Sequence, residues 1–253
     1  MILYFSGTGN SRFVAESLAA ILNDKCFALA DMLRDGSSLS LGVDERLGFV
    51  FPIYSWGVPP IVLRFVREMC LSNRPRCVYM VCSCGDETGL APQQFKVALA
   101  ERGLTCSAAY SVIMPNNYVL LPGFDVDPVS LSDEKLAGAP ERIAYIAGRI
   151  AADVEETDCT VGPMAWLKSR LVYPLFARWG VFPKKFHATA ECTGCGRCMR
   201  ACPVHNITMA DGRPQWGGDC TSCVGCYHVC PQRAVQYGGF TKKKGQYYHK
   251  KQK

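Results

Sequence analysis

The sequence predicts an α/β chain in two unequal parts. A doubly wound parallel sheet of five strands, order 2-1-3-4-5, precedes a small α+β unit. Three observations carry this. Strand and helix signals alternate through residues 1–160, the pattern of a parallel sheet covered on both faces. A glycine- and hydroxyl-rich stretch, Ser6-Gly7-Thr8-Gly9-Asn10-Ser11, stands between the first strand and the first helix. Two cysteine runs, Cys192 to Pro203 and Cys220 to Pro231, repeat one pattern 28 residues apart and share six of twelve positions.

In order, residues 2–5 form a short buried strand. Residues 11–22 place Phe13, Val14, Leu18 and Ile21 at helical spacing. Residues 27–30 give a second strand and 34–40 a polar turn or weak helix. The third strand is 47–53, and a helix then runs from Pro59-Pro60 to about 71, with the prolines where a first turn tolerates them. Strands at 78–83 and 105–113 flank a helix over 91–102, and a long helix over 133–156 closes the unit. This succession fits the flavodoxin-like member of the doubly wound class. Residues 161–186 read as a linker and packing helix, with Met164, Leu167, Leu171, Leu175 and Phe176 on the face expected to pack between the two parts. Lys168, Arg170 and Arg178 lie elsewhere on it; a membrane-surface or partner helix is the other reading. Residues 187–238 form the small unit, and 239–253 a basic tail.

The chain has 253 residues, 49 % of them hydrophobic and 20 % charged, an ordinary balance for a soluble protein. The net charge of +6 equals the number of lysines in the tail (Lys242, Lys243, Lys244, Lys250, Lys251, Lys253), so residues 1–241 are formally neutral. A solvated terminus is expected there, docking of an acidic redox partner being the alternative, and no nucleic-acid fold signal accompanies it. Residues 1–5 run into the glycine turn with no basic leader, so no signal peptide is expected. The uncharged stretch 103–124 is broken by Pro115, Asn116, Asn117, Pro122 and Gly123, so no membrane span is expected. Of fifteen cysteines, seven lie outside the runs without a disulfide pattern. A reducing cytoplasm, in a cell that avoids oxygen, is the expectation.

Each run reads C-x2-C-x2-C-x3-C-P, the spacing that holds a [4Fe–4S] cubane through thiolates. In two-cluster ferredoxins the fourth cysteine serves the other cluster. The expected sets are therefore Cys192, Cys195, Cys198 and Cys230, and Cys220, Cys223, Cys226 and Cys202. Structural zinc is the alternative, but zinc sites usually pair two short knuckles, whereas here three cysteines crowd into seven residues, twice. His205 and His228 are not at ligand positions, and Trp216 is expected to pack on the cluster loops.

Ligands of such sheets bind beyond the carboxyl ends of the strands. Loop amides and the hydroxyls of Ser6, Thr8 and Ser11, with Gly7, Gly9 and Asn10, would converge on a phosphate at a helix N-terminus. No Gly-Lys-Ser follows, so no nucleotidase P-loop is present. Arg12 stands where a dinucleotide fingerprint wants glycine, although Asp31 keeps NAD as an alternative. A monophosphate cofactor that stays bound fits best: FMN. The loop after the third strand, Pro52-Ile53-Tyr54-Ser55-Trp56-Gly57, offers aromatic faces to a planar ring. The loop after the fourth, Ser83-Cys84-Gly85-Asp86, is small and polar; surface solvation is the expected reading for Asp86 and Glu87 taken singly, the alternative being that they disfavour added negative charge on a reduced ring. Cys82 and Cys84 read as packing residues. Asn117 and Tyr118 complete the pocket.

Ser6–Ser11 resembles the flavodoxin phosphate loop, T/S-x-T-G-x-T, with serine for threonine at both ends. With Phe51–Gly57, Met114–Tyr118 and the paired cysteine runs, the whole chain resembles the flavodoxin–ferredoxin fusion proteins of anaerobic bacteria and archaea. The resemblance implies FMN and two [4Fe–4S] clusters in one electron-transfer chain, with an unidentified redox protein as donor or acceptor. It also implies that the loop after the third strand flanks the isoalloxazine, and that Gly57 turns a peptide toward the ring. An FMN-dependent reductase of a small quinone-like molecule, fed by the clusters, is the alternative function. A redox sensor with a nucleic-acid-binding tail is a third reading.

Overall fold

A computed structural model of the chain describes residues 1–36, 38–179 and 185–249. The first strand, β1 (Ile2–Tyr4), is followed by α1 (Asn10–Leu22), β2 (Cys26–Ala28), α2 (Leu29–Asp35), β3 (Leu47–Pro52) and α3 (Pro60–Glu68). Then come β4 (Val78–Cys84), α4 (Ala91–Ala100), β5 (Cys106–Ile113), α5 (Val129–Ala151) and β6 (Thr157–Asp158). Every pairing is parallel and the order is β2-β1-β3-β4-β5-β6, the flavodoxin-like arrangement with one strand added.

Alternation along the strands builds two cores. Leu3, Phe49, Phe51, Met80 and Cys82 face α3 and α4 with Phe65 and Phe95. Ile2, Val50, Tyr79, Val81 and Tyr110 face α1 and α5 with Val14, Leu18, Ile143 and Ile146. The sheet has a sixth strand where five were expected: Thr157–Asp158 pairs with Ala109 and Tyr110. Two residues carry too little periodicity to announce a strand, and Arg142 holds this one from α5 through the Asp158 carboxylate (2.7 Å) and carbonyl (2.9 Å). Helix α2 also begins at Leu29, inside the expected second strand.

The small unit contains β7 (Phe186–Ala188), α8 (Arg197–Arg200), β8 (Ile207–Ala210), β9 (Arg213–Trp216), α9 (Gly225–His228) and β10 (Val235–Tyr237). Strands β7 and β10 pair antiparallel. So do β8 and β9, joined by Asp211-Gly212 with φ of 49° and 72°, the two left-handed positions of a tight hairpin turn. Its core takes in Val119 and Leu120, which follow β5, beside Cys198, Cys226 and Tyr227. The two parts thus share a core.

The linker expectation needs correction. Helix α6 (Ala165–Leu167), a π-helical turn (Lys168–Val172) and α7 (Tyr173–Trp179) bury Ser169 and Tyr173, and Phe176 turns inward onto Tyr54 and Tyr118. Met164, Leu167, Leu171 and Leu175, placed on the packing face by their spacing, are exposed. Polar anchors decide the face: Ser169 Oγ donates to the Trp56 carbonyl (2.7 Å) and Tyr173 Oη to that of Val58 (2.6 Å). Residues 180–184 of the expected linker lie outside the described residues. No helix among the described residues is long and apolar enough to cross a membrane.

The tail also differs from the solvated terminus expected. Thr241 and Lys244 are buried, and 245–249 run back across the α/β part. The Lys244 ammonium donates to the carbonyls of Val119 and Leu121, which offsets part of the cost of burying it; burial still lowers its pKa. Lys242 and Lys243 are exposed; Lys250, Lys251 and Lys253 lie outside the described residues.

Gly48 in β3 sits under the Tyr79 ring, where an added Cβ would fall 2.3 Å from Tyr79 Cζ. Gly48→Ala is expected to overpack this face and cost about 1–3 kcal/mol. Urea denaturation of the purified variant beside the wild type measures it.

Candidate functional site

The loops after β1, β3, β4 and β5 meet at the carboxyl edge of the sheet. Helix α1 opens this site with no side-chain cap and no acidic residue in its first turn, so its N-terminal amides can receive an anion. The Gly9 φ of 97° makes the turn into the helix. Ser6 Oγ accepts the Gly9 N–H (3.2 Å), and Thr8 Oγ1 accepts from Asn117 Nδ2 (2.5 Å). Each hydroxyl hydrogen is left to donate elsewhere. Ser11 Oγ and Ser83 Oγ lie 2.7 Å apart and tie the loops after β1 and β4 together.

A polar cavity of ≈ 100 Å³ follows the first loop and is bordered by Ser6, Gly7, Thr8, Asn10, Ser11 and Ser83, among others. Beside it lies a cavity of ≈ 230 Å³ bordered by Tyr54, Trp56, Tyr118, Phe124 and Phe176. Pro52, Ile53, Cys84, Gly85 and Asn117 border both; Ser55 and Asp86 border the second. Sixteen of the eighteen expected cofactor residues therefore face these cavities, and Gly9 and Gly57 do not.

Gly57 departs from the expectation in its role as well. Its φ is not positive; the left-handed residues are Ser55 (47°) and Trp56 (63°), between the paired backbones of Tyr54 and Gly57. That makes a tight turn with two strained non-glycine residues at its tip. Gly57 is instead required by Tyr173, whose ring would meet an added Cβ at 2.2 Å. The charge effect of the acids is also offset. Glu87 accepts from Trp56 Nε1 (2.6 Å) and pairs with Lys168, and Asp86 pairs with Lys135 (3.3 Å). Cys82 and Cys84 are buried, and burial pushes the Cys84 thiol up to about 12.

Several lining residues were not foreseen. Asn116 borders both cavities; an added Cβ on Gly85 would fall 1.7 Å from its Oδ1. Asn116 was visible as the neighbour of Asn117. Phe176 was assigned to the linker, and Leu121 and Phe124 had no sequence signal. Ser222, Cys223 and Val224 come from the second cysteine run, and Cys223 borders both cavities.

The eight run cysteines fall into two groups. Cys192, Cys195, Cys198 and Cys230 border one small cavity, with Cys195 exposed. Cys202, Cys220 and Cys223 surround Cys226; burial raises the Cys226 thiol well above its usual value, and these neighbours raise it further. Trp216 stacks on Phe186 (5.9 Å), and its buried indole N–H favours the Cys226 thiolate. His228 donates from Nε2 to the Asn117 carbonyl (2.7 Å) while Nδ1 accepts the Tyr247 N–H (3.1 Å). Among the described residues no three His, Cys, Asp or Glu side chains converge as ligands of a single ion; a cubane spreads its thiolates over four irons.

Comparison with known proteins adds one assignment. Residues 191–235 match the 4Fe-4S dicluster domain family. The dicluster segment covers less than half of the chain. A search of the curated proteins finds no match. Solved structures similar to the chain include the Streptococcus pneumoniae TIGR4 flavodoxin, at 16 % identity, covering 60 % of this chain and 97 % of that one, with a TM-score of 0.37. An FMN-dependent NADH-azoreductase from Bacillus anthracis, in complex with FMN, is 10 % identical over 59 % of this chain and 97 % of its own, TM-score 0.37. Rubredoxin oxygen:oxidoreductase from Desulfovibrio gigas is 14 % identical over 60 % and 36 %, TM-score 0.33. The fold assignment rests on the strand order, not on these likenesses.

Asp127 holds the loop after β5. It accepts the Asn116 N–H (2.9 Å), Asn116 Nδ2 (3.1 Å) and Lys135 Nζ (2.7 Å). Burial opposes its ionisation, but these donors outweigh burial and lower its pKa. A lowered carboxylate stabilises fully above the unfolded value of about 4 and loses its contribution as pH falls through the folded value. Asp127→Asn is therefore expected to cost about 2–3 kcal/mol at pH 7 and clearly less at pH 3. Urea titrations of both proteins at the two pH values measure the difference.

Proposed function

We propose that the protein carries electrons between a low-potential donor and an acceptor, using two [4Fe–4S] clusters and an FMN. The observation that carries this is the position of Cys223, in a cluster-binding run and in the wall of both cavities at the sheet edge. Cys192, Cys195, Cys198 and Cys230 would hold one cubane, and Cys202, Cys220, Cys223 and Cys226 the other. The hydroxyls of Ser6, Thr8 and Ser11 and the first amides of α1 would hold the phosphate, and Tyr54, Tyr118 and Phe176 the flavin ring.

The residues suit these groups chemically. The buried hydroxyls of Tyr54, Tyr118 and Ser222 lack a protein partner, and all three border the cavities at the sheet edge. Buried polar atoms need partners, and bound groups with oxygens, ring nitrogens or sulfides would supply them. When bound, the cubanes pass single electrons and FMN holds one or two. The chain's own part is to bring the two sites to one wall, to leave Cys195 exposed at the surface, and to keep Cys226 buried.

Anaerobically purified protein is expected to contain about eight irons and one FMN per chain. With a ferredoxin-level reductant, stopped flow should show flavin reduction several-fold faster than in a variant with Cys192, Cys198, Cys220 and Cys226 changed to serine. Equal rates, with FMN retained in both, would reject the shared path.

One observation favours the second reading, an FMN-dependent reductase of a quinone-like molecule. The aromatic cavity is lined in part by Leu121 and Phe124, which are 45 % and 46 % exposed and add apolar surface to it. Saturable turnover of a small quinone, with KM raised by Phe124→Ser, would support it.

A further inference from the structure

The tail from Lys244 to His249 is the largest feature of the site that no motif announced. It is anchored on the dicluster side. Tyr227 Oη donates to the Lys244 carbonyl (2.9 Å), Gln246 Nε2 to the carbonyls of Tyr227 (2.6 Å) and Cys230 (3.0 Å), and the Tyr247 N–H to His228 Nδ1. The Gly245 N–H reaches Asp125 Oδ1 (2.8 Å) on the other side.

From these anchors the tail crosses to three consecutive residues of the phosphate loop. The His249 N–H donates to the Thr8 carbonyl (2.8 Å). The His249 backbone passes Gly9 so closely that an added Cβ there would meet its oxygen at 2.7 Å. Tyr247 Oη donates to Asn10 Oδ1 (2.6 Å), while Asn10 Nδ2 donates to the Pro115 carbonyl (3.0 Å). The His249 ring packs on Phe13 of α1 at 4.5 Å, and its buried Nε2 has no partner.

Each contact engages the loop through a carbonyl, a side-chain oxygen or a bare α-carbon, and none takes one of its backbone N–H groups. A loop pinned from behind keeps its donors aimed and need not be ordered when an anion arrives, which is how preorganisation raises affinity. Building on the FMN reading, we infer that residues 244–249 are a strap that preorganises the phosphate loop, with Tyr247 a positioning residue that acts through Asn10. The strap discriminates for the phosphate of the flavin, not for its ring. By linkage, binding at the loop must steady the strap in return.

The test compares FMN with riboflavin, which lacks the phosphate, by anaerobic fluorescence titration of cluster-loaded, flavin-stripped full-length protein. Tyr247→Phe removes the hydrogen bond donated to Asn10 together with the hydroxyl's contact to His249 Nδ1 (3.4 Å) within the strap, and keeps the ring. It is expected to weaken FMN about fivefold and to leave riboflavin unchanged, so that the preference for FMN falls by the same factor. Hydrogen exchange at the His249 amide should be slower with FMN than with riboflavin. A Tyr247→Phe protein that binds FMN as the wild type does, or that loses both ligands equally, would overturn the inference while leaving the FMN reading intact. A wild-type protein that takes up neither flavin would instead overturn the FMN reading, and the strap with it.

Discussion

The rest of the structure depends on a contact with no room for a side chain. The loop after β1 and the second cysteine run touch through Gly7, where an added Cβ would lie 2.5 Å from Cys223 Cβ, and through Gly225, where one would lie 2.4 Å from the Gly7 carbonyl oxygen. Both φ values lie outside the left-handed region, so it is the approach of two backbones, and not conformational freedom, that calls for glycine here. Any larger residue at either position would separate the loops by the thickness of a side chain. This contact puts a cysteine of one part into the wall of a cavity in the other.

Around this contact the joint is built mainly from buried hydrogen bonds and a shared apolar core. Val119 and Leu120 leave β5 and enter the core of the dicluster side, and Lys244 returns to bind the carbonyls on either side of them. His228 and Asn117 connect α9 to the Thr8 hydroxyl. Burial lowers the His228 pKa to about 4, so the ring is neutral at ordinary pH and can donate at Nε2 while accepting at Nδ1. Buried contacts of this kind fix one relative position more firmly than the exposed ion pairs around them, such as Arg12–Glu16 and Arg64–Glu68.

The features that were legible have short-range causes. Near-continuous apolar runs in Leu47–Pro52 and Val78–Cys84 announce strands buried on both faces, and the hydroxyls and glycines of 6–11 announce an uncapped helix start. What was misread depends on distant partners. Gly57 looked like a flexible turn residue, but a ring 116 positions later dictates it, and the left-handed positions fall to Ser55 and Trp56. The linker's apolar spacing pointed to a buried face, yet hydrogen bonds from Ser169 and Tyr173 chose the opposite one. Six lysines suggested a solvated tail, because composition cannot tell that two carbonyls await one of them.

By itself the sequence determined the doubly wound order, the glycine- and hydroxyl-rich loop and the repeated cysteine spacing, since each follows from local periodicity or from residue spacing within a short stretch. Only the tertiary structure decided that Cys223 borders the cavity at the sheet edge, that Phe176 and Asn116 line it, and that Tyr247 and His249 reach the loop at Thr8 and Asn10. Those placements join residues far apart in the chain. They are set by which backbones can approach and which buried donors find acceptors, and no local pattern in the chain records either.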